Sequence, residues 1–207
     1  MTSASGTRRP RPRPPAAGAR PSARTRSALA CALVAFLAFA ADAAGKAWAL
    51  AALRDGHRIT SPGGLMRLQL VINHGAAFGI GAGAGPLWAA VSLAGLVLLG
   101  LWAGTAPSRA ERSGAALAAG GAAGNLIDRL VRPPGFLHGG VVDWLHVWFY
   151  GPTFNLADVW LRAGLLIAVG AWLWRHRGRP RPAPAHDGSD HHGGMMAQGD
   201  VPGPGPG

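Results

Sequence analysis

Four apolar runs, at about 28–50, 86–104, 114–131 and 154–174, most constrain what this chain can become. Each approaches the ~20 residues that carry an α-helix, rising ~1.5 Å per residue, through ~30 Å of hydrocarbon. Backbone in lipid must satisfy its own polar groups, so runs of this length are read as helices. Of the 207 residues 49% are hydrophobic and only 14% charged, which argues against an ordinary soluble domain. The third run is the weakest, being short and ending in polar residues. The expectation is an all-α membrane protein, a four-helix transmembrane bundle formed by residues 27–175.

Arginine placement sets the expected orientation. Arg8, Arg9, Arg11, Arg13, Arg20, Arg24 and Arg26 precede the first run, Arg109 and Arg112 separate the second from the third, and Arg175, Arg177, Arg179 and Arg181 follow the fourth. By the positive-inside rule these regions and both termini are cytoplasmic, leaving outer loops at about 51–85 and 132–153. The net charge of +11 is thereby accounted for. The N-terminal arginines stand among prolines without interleaved aromatics, so no nucleic-acid partner is expected. An arginine-rich start followed by an apolar core and Ala38-Phe39-Ala40 also resembles a secretory signal peptide. Against that, the apolar character continues through Ala47, Trp48, Ala49 and Leu50 to Leu53, a full span whose removal would leave an odd number of helices.

The two ends differ in composition from the middle. Residues 1–26 are basic and rich in Pro, Ala and Ser, and residues 176–207 are rich in Pro, Gly and His. Neither buries enough apolar surface to order itself, so both are expected to be disordered cytoplasmic tails. His186, His191 and His192 read as solvated residues of such a tail. Cys31 is the single cysteine, which rules out an internal disulfide and a cysteine-based metal site within one chain; it reads as a small apolar residue.

In the first outer loop Arg67, Leu68, Gln69, Leu70 and Val71 alternate polar with apolar and lead into Ile72 and Asn73, the pattern of a surface strand. A small β-rich outer platform is expected there. Gly75, Ala76, Ala77, Phe78 and Gly79 follow, small residues that let backbone approach a ligand or another helix. Gly114, Gly120, Gly121 and Gly124 of the third run read as close-packing positions.

The ionisable residues of the runs gather near one end. Asp42 and Lys46 lie late in the first, Asp128 and Arg129 close the third, and Asp158 with Arg162 opens the fourth. A charge in hydrocarbon costs about 2.5–3.5 kcal/mol on insertion scales, so these groups should face one another and mark function. Asn125, Asp128 and Arg129 share one helical face, which taken alone equally suits residues that cap a helix and snorkel. Two further aspartates tip the balance. Asp143 follows Gly139, Gly140, Val141 and Val142, and Asp158 closes Phe154-Asn155-Leu156-Ala157-Asp158 fifteen positions later, far enough for the loop to fold back. Two carboxyls sharing a site cannot both ionise cheaply, so one holds a proton near neutral pH. Such a pair can hydrolyse an amide: the ionised member activates water and the protonated member donates to the carbonyl oxygen and helps the amine leave.

The ordered motifs Asp42 with Lys46, Asn73-His74-Gly75-Ala76-Ala77-Phe78-Gly79, Gly120 to Arg129, Val141-Val142-Asp143 and Phe154 to Asp158 resemble those of bacterial lipoprotein signal peptidase, signal peptidase II, over roughly residues 28–175. The resemblance implies an intramembrane aspartic endopeptidase of the bacterial inner membrane. It would cut lipid-modified prolipoproteins just before the diacylglyceryl cysteine, with its site near the outer face. It implies Asp143 and Asp158 as the catalytic pair, with Asn73, Asn125, Asp128, Arg129, Asn155, Asp42 and Lys46 supporting them or the substrate. It implies no metal and no organic cofactor. Membrane lipid and the precursor are the expected partners of a monomeric chain.

Three positions depart from that family pattern: Gly45, where a hydroxyl residue is common, and Trp160 and Arg162, where small or apolar residues are usual. Arg162, four residues after Asp158, could pair with it and favour its ionised form, leaving the proton on Asp143. Trp144, Trp148, Phe149 and Tyr150 read as an interfacial aromatic belt. Two rivals weigh less. A Ser–Lys peptidase would need Lys46 and Ser92, but Ser92 lacks a strained Gly-flanked turn. A small channel or proton-coupled carrier subunit would need polar residues at several depths, whereas the inner halves of the runs are almost wholly apolar.

Overall fold

The computed structural model describes residues 22–75 and 81–177. The expectations for most of both tails, including His186, His191 and His192, and for Ala76, Ala77, Phe78 and Gly79 lie outside those residues. Four α-helices are described: α1 (Ala23–Ala52), α2 (Gly85–Thr105), α3 (Arg109–Val131) and α4 (Leu156–Arg177). Two of them start earlier than their apolar runs because a serine caps them. The Ser22 hydroxyl accepts from Thr25 N, and the Ser108 hydroxyl accepts from Glu111 N while touching the Glu111 carboxylate at 3.0 Å. The Ser108-Arg109-Ala110-Glu111 spacing is that of a capping box, which starts α3 at Arg109 rather than 114.

Three helices, α1, α2 and α4, are long and apolar enough to cross a membrane. They carry their large side chains outward: Leu33, Phe36, Leu98, Leu101 and Leu166 are all more than half exposed. Such a belt has no place in water and marks a membrane protein. Helix α3 is different. It touches each of the other three, whereas α1 and α2 barely meet, and most of its residues are buried. Its low apolarity follows from that position, because it faces protein rather than lipid. Glycines make this close approach possible. A methyl group on Gly120 would collide with the Ala35 carbonyl, one on Gly121 with the Ala157 carbonyl, and one on Gly114 with the backbone of Gly164 and Ala168.

At one end of the bundle lies a four-stranded antiparallel sheet in the order β1-β2-β3-β4 (Arg58–Thr60, Met66–Asn73, Val141–Val147, Thr153–Phe154). The expected strand in the first connecting segment is β2. The sheet also draws β3 and β4 from the second segment, so its strands are not confined to the first. In Val141–Val147 a continuous apolar start, with Val141, Val142 and Asp143 all buried, hid the period-two pattern that reveals an exposed strand. Register pairs Val71 with Asp143 and Asn73 with Val141, which sets the two polar side chains side by side.

Candidate active site

The motif from Phe154 to Asp158 folds as the start of α4. Asn155 caps the helix: its Oδ1 accepts from Asp158 N at 3.0 Å, and Asp158 Oδ2 accepts from Asn155 N at 3.4 Å, a reciprocal pair that fixes Asp158 in the first turn. A further free N–H of that turn, on Ala157, donates to Asp42 Oδ1 at 2.8 Å. Buried Asp42 on α1 therefore caps α4 from across the bundle. Its other oxygen lies 2.6 Å from Lys46 Nζ, which also contacts Asp128 Oδ2 at 2.8 Å and Asn125 Oδ1 at 3.1 Å. Lys46 is 1% exposed and Asp42 wholly buried. Only mutual pairing makes that burial tolerable.

Asp128 ties α3 to the sheet. Its Oδ2 accepts from Val142 N at 3.2 Å, and its Oδ1 meets Arg132 Nε at 2.5 Å. The chain reaches β3 through Gly139 and Gly140, and there is no room for side chains. A methyl on Gly139 would strike the Asp128 carbonyl, and one on Gly140 would strike Ile72 and His74. This contact against the end of α3 delivers Asp143 to the bundle.

Asp143 is 3% exposed and is held by two uncharged donors. Asn73 Nδ2 donates to its Oδ2 at 3.0 Å and Asn155 Nδ2 to its Oδ1 at 2.7 Å. Asn155 Nδ2 also reaches Asn125 Oδ1 at 3.1 Å, and Asn125 Nδ2 donates to Asp158 Oδ1 at 3.0 Å. Asn125 Oδ1 takes two donors, Lys46 and Asn155, so its amide is oriented with the nitrogen toward Asp158. The two aspartates are thus brought together through a shared asparagine, and both line one cavity of about 270 Å³ with Asn73, Asn125 and Arg129. Burial, and then the negative charge of Asp158, push the Asp143 carboxyl up from 3.8 to about 7, outweighing the hydrogen bonds from Asn73 and Asn155 and the charge of Lys46.

Arg129 completes the cluster. It is 6% exposed, donates to the Gly75 carbonyl at 2.9 Å and lies within electrostatic reach of Asp143, Asp128 and Asp158. Lys46, Arg129 and Arg132 thus set three cationic side chains among Asp42, Asp128, Asp143 and Asp158. All nine residues singled out in the sequence belong to this one web. Arg132, which joins it, was missed because it follows the apolar run and reads as a loop residue; its place four positions after Asp128 is the available signal.

Two departures from the family pattern acquire reasons. A methyl on Gly45 would lie 2.8 Å from the Trp144 ring, which stacks edge-on against Trp48 at 5.5 Å. A side chain at 45 would have to displace the tryptophan ring. Arg162 does not pair with Asp158 as expected. Its guanidinium sits 5.4 Å above the Tyr150 ring at the cavity wall, a cation–π contact that draws it away from the carboxylate. Of the aromatic belt, Trp148 and Phe149 are strongly exposed and Trp144 turns inward. Ser92 donates to the Trp88 carbonyl at 2.9 Å, while Lys46 is engaged by Asp42, Asp128 and Asn125, so no Ser–Lys pair forms.

The half of the bundle away from Asp143, expected to be almost wholly apolar, carries a buried charge. Glu111, 1% exposed, takes Arg175 through both oxygens, at 2.9 and 3.2 Å, joining α3 to α4 at the end opposite Asp143. Its polar neighbours in sequence, Arg109 and Arg112, made that segment read as a loop.

Comparison with known proteins places these residues in context. The family model described as signal peptidase (SPase) II matches residues 34–174. A lipoprotein signal peptidase of Bifidobacterium adolescentis is 41% identical over 139 residues, 67% of this chain and 73% of its own length. That of Leifsonia xyli subsp. xyli is 38% identical over 152 residues, covering 70% and 68%. A bacterial membrane enzyme solved by the in meso method at 2.3 Å resolution superposes with a TM-score of 0.63 at 24% identity, over 74% of this chain and 93% of that one, which supports the fold. With the match spanning α1 to α4 and the whole polar web, this chain belongs to the signal peptidase II family.

Proposed function

We propose that Asp143 and Asp158 are the catalytic pair with which this chain, an aspartic peptidase of the signal peptidase II family, removes signal peptides from lipoprotein precursors. The observation that carries the reading is the shared asparagine: two carboxyls joined through Asn155 over one cavity, one of them with its pKa raised to about 7. Asp143 then holds the proton and Asp158 is the base. Asp158 takes a proton from a water that attacks the scissile carbonyl carbon, Asp143 donates to the carbonyl oxygen, and the amine leaves with a proton relayed through the pair. Asn125 and Asn155 keep both carboxyls oriented, and Lys46, Asp42 and Asp128 hold the helices that carry them. Asn73 and Arg129 border the space where the substrate chain would lie.

The finer topology belongs to the same reading. Helix α3 is the fourth crossing, admitted by burial against its neighbours. Both termini lie in the cytoplasm of a bacterial cell, the aspartates lie near the outer face of the inner membrane, and a single chain suffices. The substrate is a precursor carrying diacylglycerol on the cysteine that follows the cleaved bond, and the exposed Trp148 and Phe149 sit in the lipid interface beside it. A gel-shift assay of a lipidated precursor with purified wild type, Asp143→Asn and Asp158→Asn tests the proposal. Processing by wild type alone is expected, and cleavage at the normal rate by either variant refutes it.

A further inference from the structure

At the end of the bundle away from the aspartates, α1 and α2, which scarcely touch, line a cleft of about 930 Å³ together with α3. Its walls are small and apolar: Ala28, Cys31 and Ala32 on α1, Gly100 and Gly104 on α2, and Ala116 on α3. On α3 the packing glycines are blocked by neighbouring backbone, yet a methyl on Gly100 or Gly104 would meet nothing within 4 Å. These two glycines do not serve packing between described helices. They leave room.

The mouth of the cleft is basic. Arg24 and Arg109 are exposed there, and Arg112 joins them, anchored by the Ala106 carbonyl and by the Ser27 hydroxyl at 2.8 Å. Among the described residues the one carboxylate at this end, Glu111, is already taken by Arg175. The rim therefore keeps its positive charge over a slot that opens between membrane helices.

We infer that this cleft binds an anionic phospholipid, one acyl chain lying between α1 and α2 and the headgroup phosphate meeting Arg24, Arg109 and Arg112. Charge selects the occupant. Basic pockets between membrane helices suit anionic headgroups, whereas a signal peptide brings a positively charged start that the same arginines repel. Free phosphate would use the rim and leave the apolar slot empty.

Cys31, the single cysteine, lines the slot and reports on it. The test measures the rate at which a small methanethiosulfonate modifies Cys31 in the purified full-length chain. Micelles would contain phosphatidylglycerol, phosphatidylcholine, or inorganic phosphate without added lipid. Native mass spectrometry of bound lipid accompanies each condition. Phosphatidylglycerol should protect Cys31 and remain bound at least roughly tenfold better than phosphatidylcholine, as expected for two or three arginines at an anionic surface. Phosphate should give no protection. Arg24→Gln with Arg109→Gln should erase the preference, and Gly104→Leu, which the open space accepts, should lower retention of both lipids. Equal retention of the two lipids by wild type overturns the inference, as does unchanged retention in Gly104→Leu. Protection by a basic signal peptide but not by phosphatidylglycerol would assign the cleft to the substrate instead.

Discussion

The two ends of α3 bury charge in opposite ways. At its first turn Glu111 meets Arg175 through two hydrogen bonds and Ser108 through a third, and the account is closed. At its last turns Asp128, Lys46, Asp42, Asn125, Asn155, Asp143 and Asp158 form a web in which one member, Asp143, has only amide donors and a pKa near 7. A charge pair that satisfies itself joins helices. A carboxyl whose hydrogen-bond donors are uncharged amides, beside another carboxyl and a cavity, suits the proton exchange proposed for it.

The largest expected break in this contrast is functional. Asp143→Asn or Asp158→Asn should reduce precursor processing by at least about 10²–10⁴-fold, the usual contribution of acid–base groups, while Glu111→Gln keeps the rate of wild type in the same assay. Next is Lys46→Met, which strands buried Asp42 and leaves Asp128 to Arg132 alone. Breaking a buried pair from one side costs about 3–5 kcal/mol, so the variant should melt well below wild type or fail to accumulate in membranes. Arg175→Met should be milder, because Arg175 is partly exposed.

The pH dependence sharpens the comparison further. The Asp143 carboxyl lies at about 7 in the folded chain against 3.8 for the free group. Its raised value contributes stability that is full below pH 3.8 and is lost as pH rises through 7. Thermal melting of wild type should therefore fall between about pH 4 and 7, and Asp143→Asn should flatten that fall; an identical slope in both would refute the assignment. Processing should decline above about pH 7 as the acid loses its proton. The smallest effect is expected for Arg162→Leu. With its guanidinium over Tyr150 rather than on Asp158, its loss should leave the pH profile of processing in place and change the rate by less than about tenfold, the cost of one cation–π contact.

Much of the site was legible because its chemistry is written in residue types that lipid makes conspicuous. Asp42, Lys46, Asp128 and Asp158 stand out against apolar helices, and Asp143 against a run of Gly and Val. The elements that deliver them were harder to read. Strand β3 begins with buried valines and lacks alternation, so its pairing with β2 emerges only once the sheet is assembled. Arg132 and Glu111 sit where helices pass into loops, and capping and i,i+4 geometry decide whether such residues are solvent or core. Arg162 was read from helical spacing alone, and an aromatic neighbour twelve positions earlier in sequence won its guanidinium. The Gly45–Trp144 contact likewise joins residues far apart in the chain, and no local pattern announces it.

The central helix α3 has a consequence for biogenesis. Its Ala- and Gly-rich surface, with Glu111, Asp128 and Arg129 buried on it, has little affinity for acyl chains until α1, α2 and α4 surround it. On the four-crossing reading it cannot partition from the translocon alone. It must wait at the channel, paired with α2 through the short Ala106-Pro107-Ser108 link, until α4 emerges from the ribosome, so a chain truncated before α4 should be a substrate for membrane quality-control proteases.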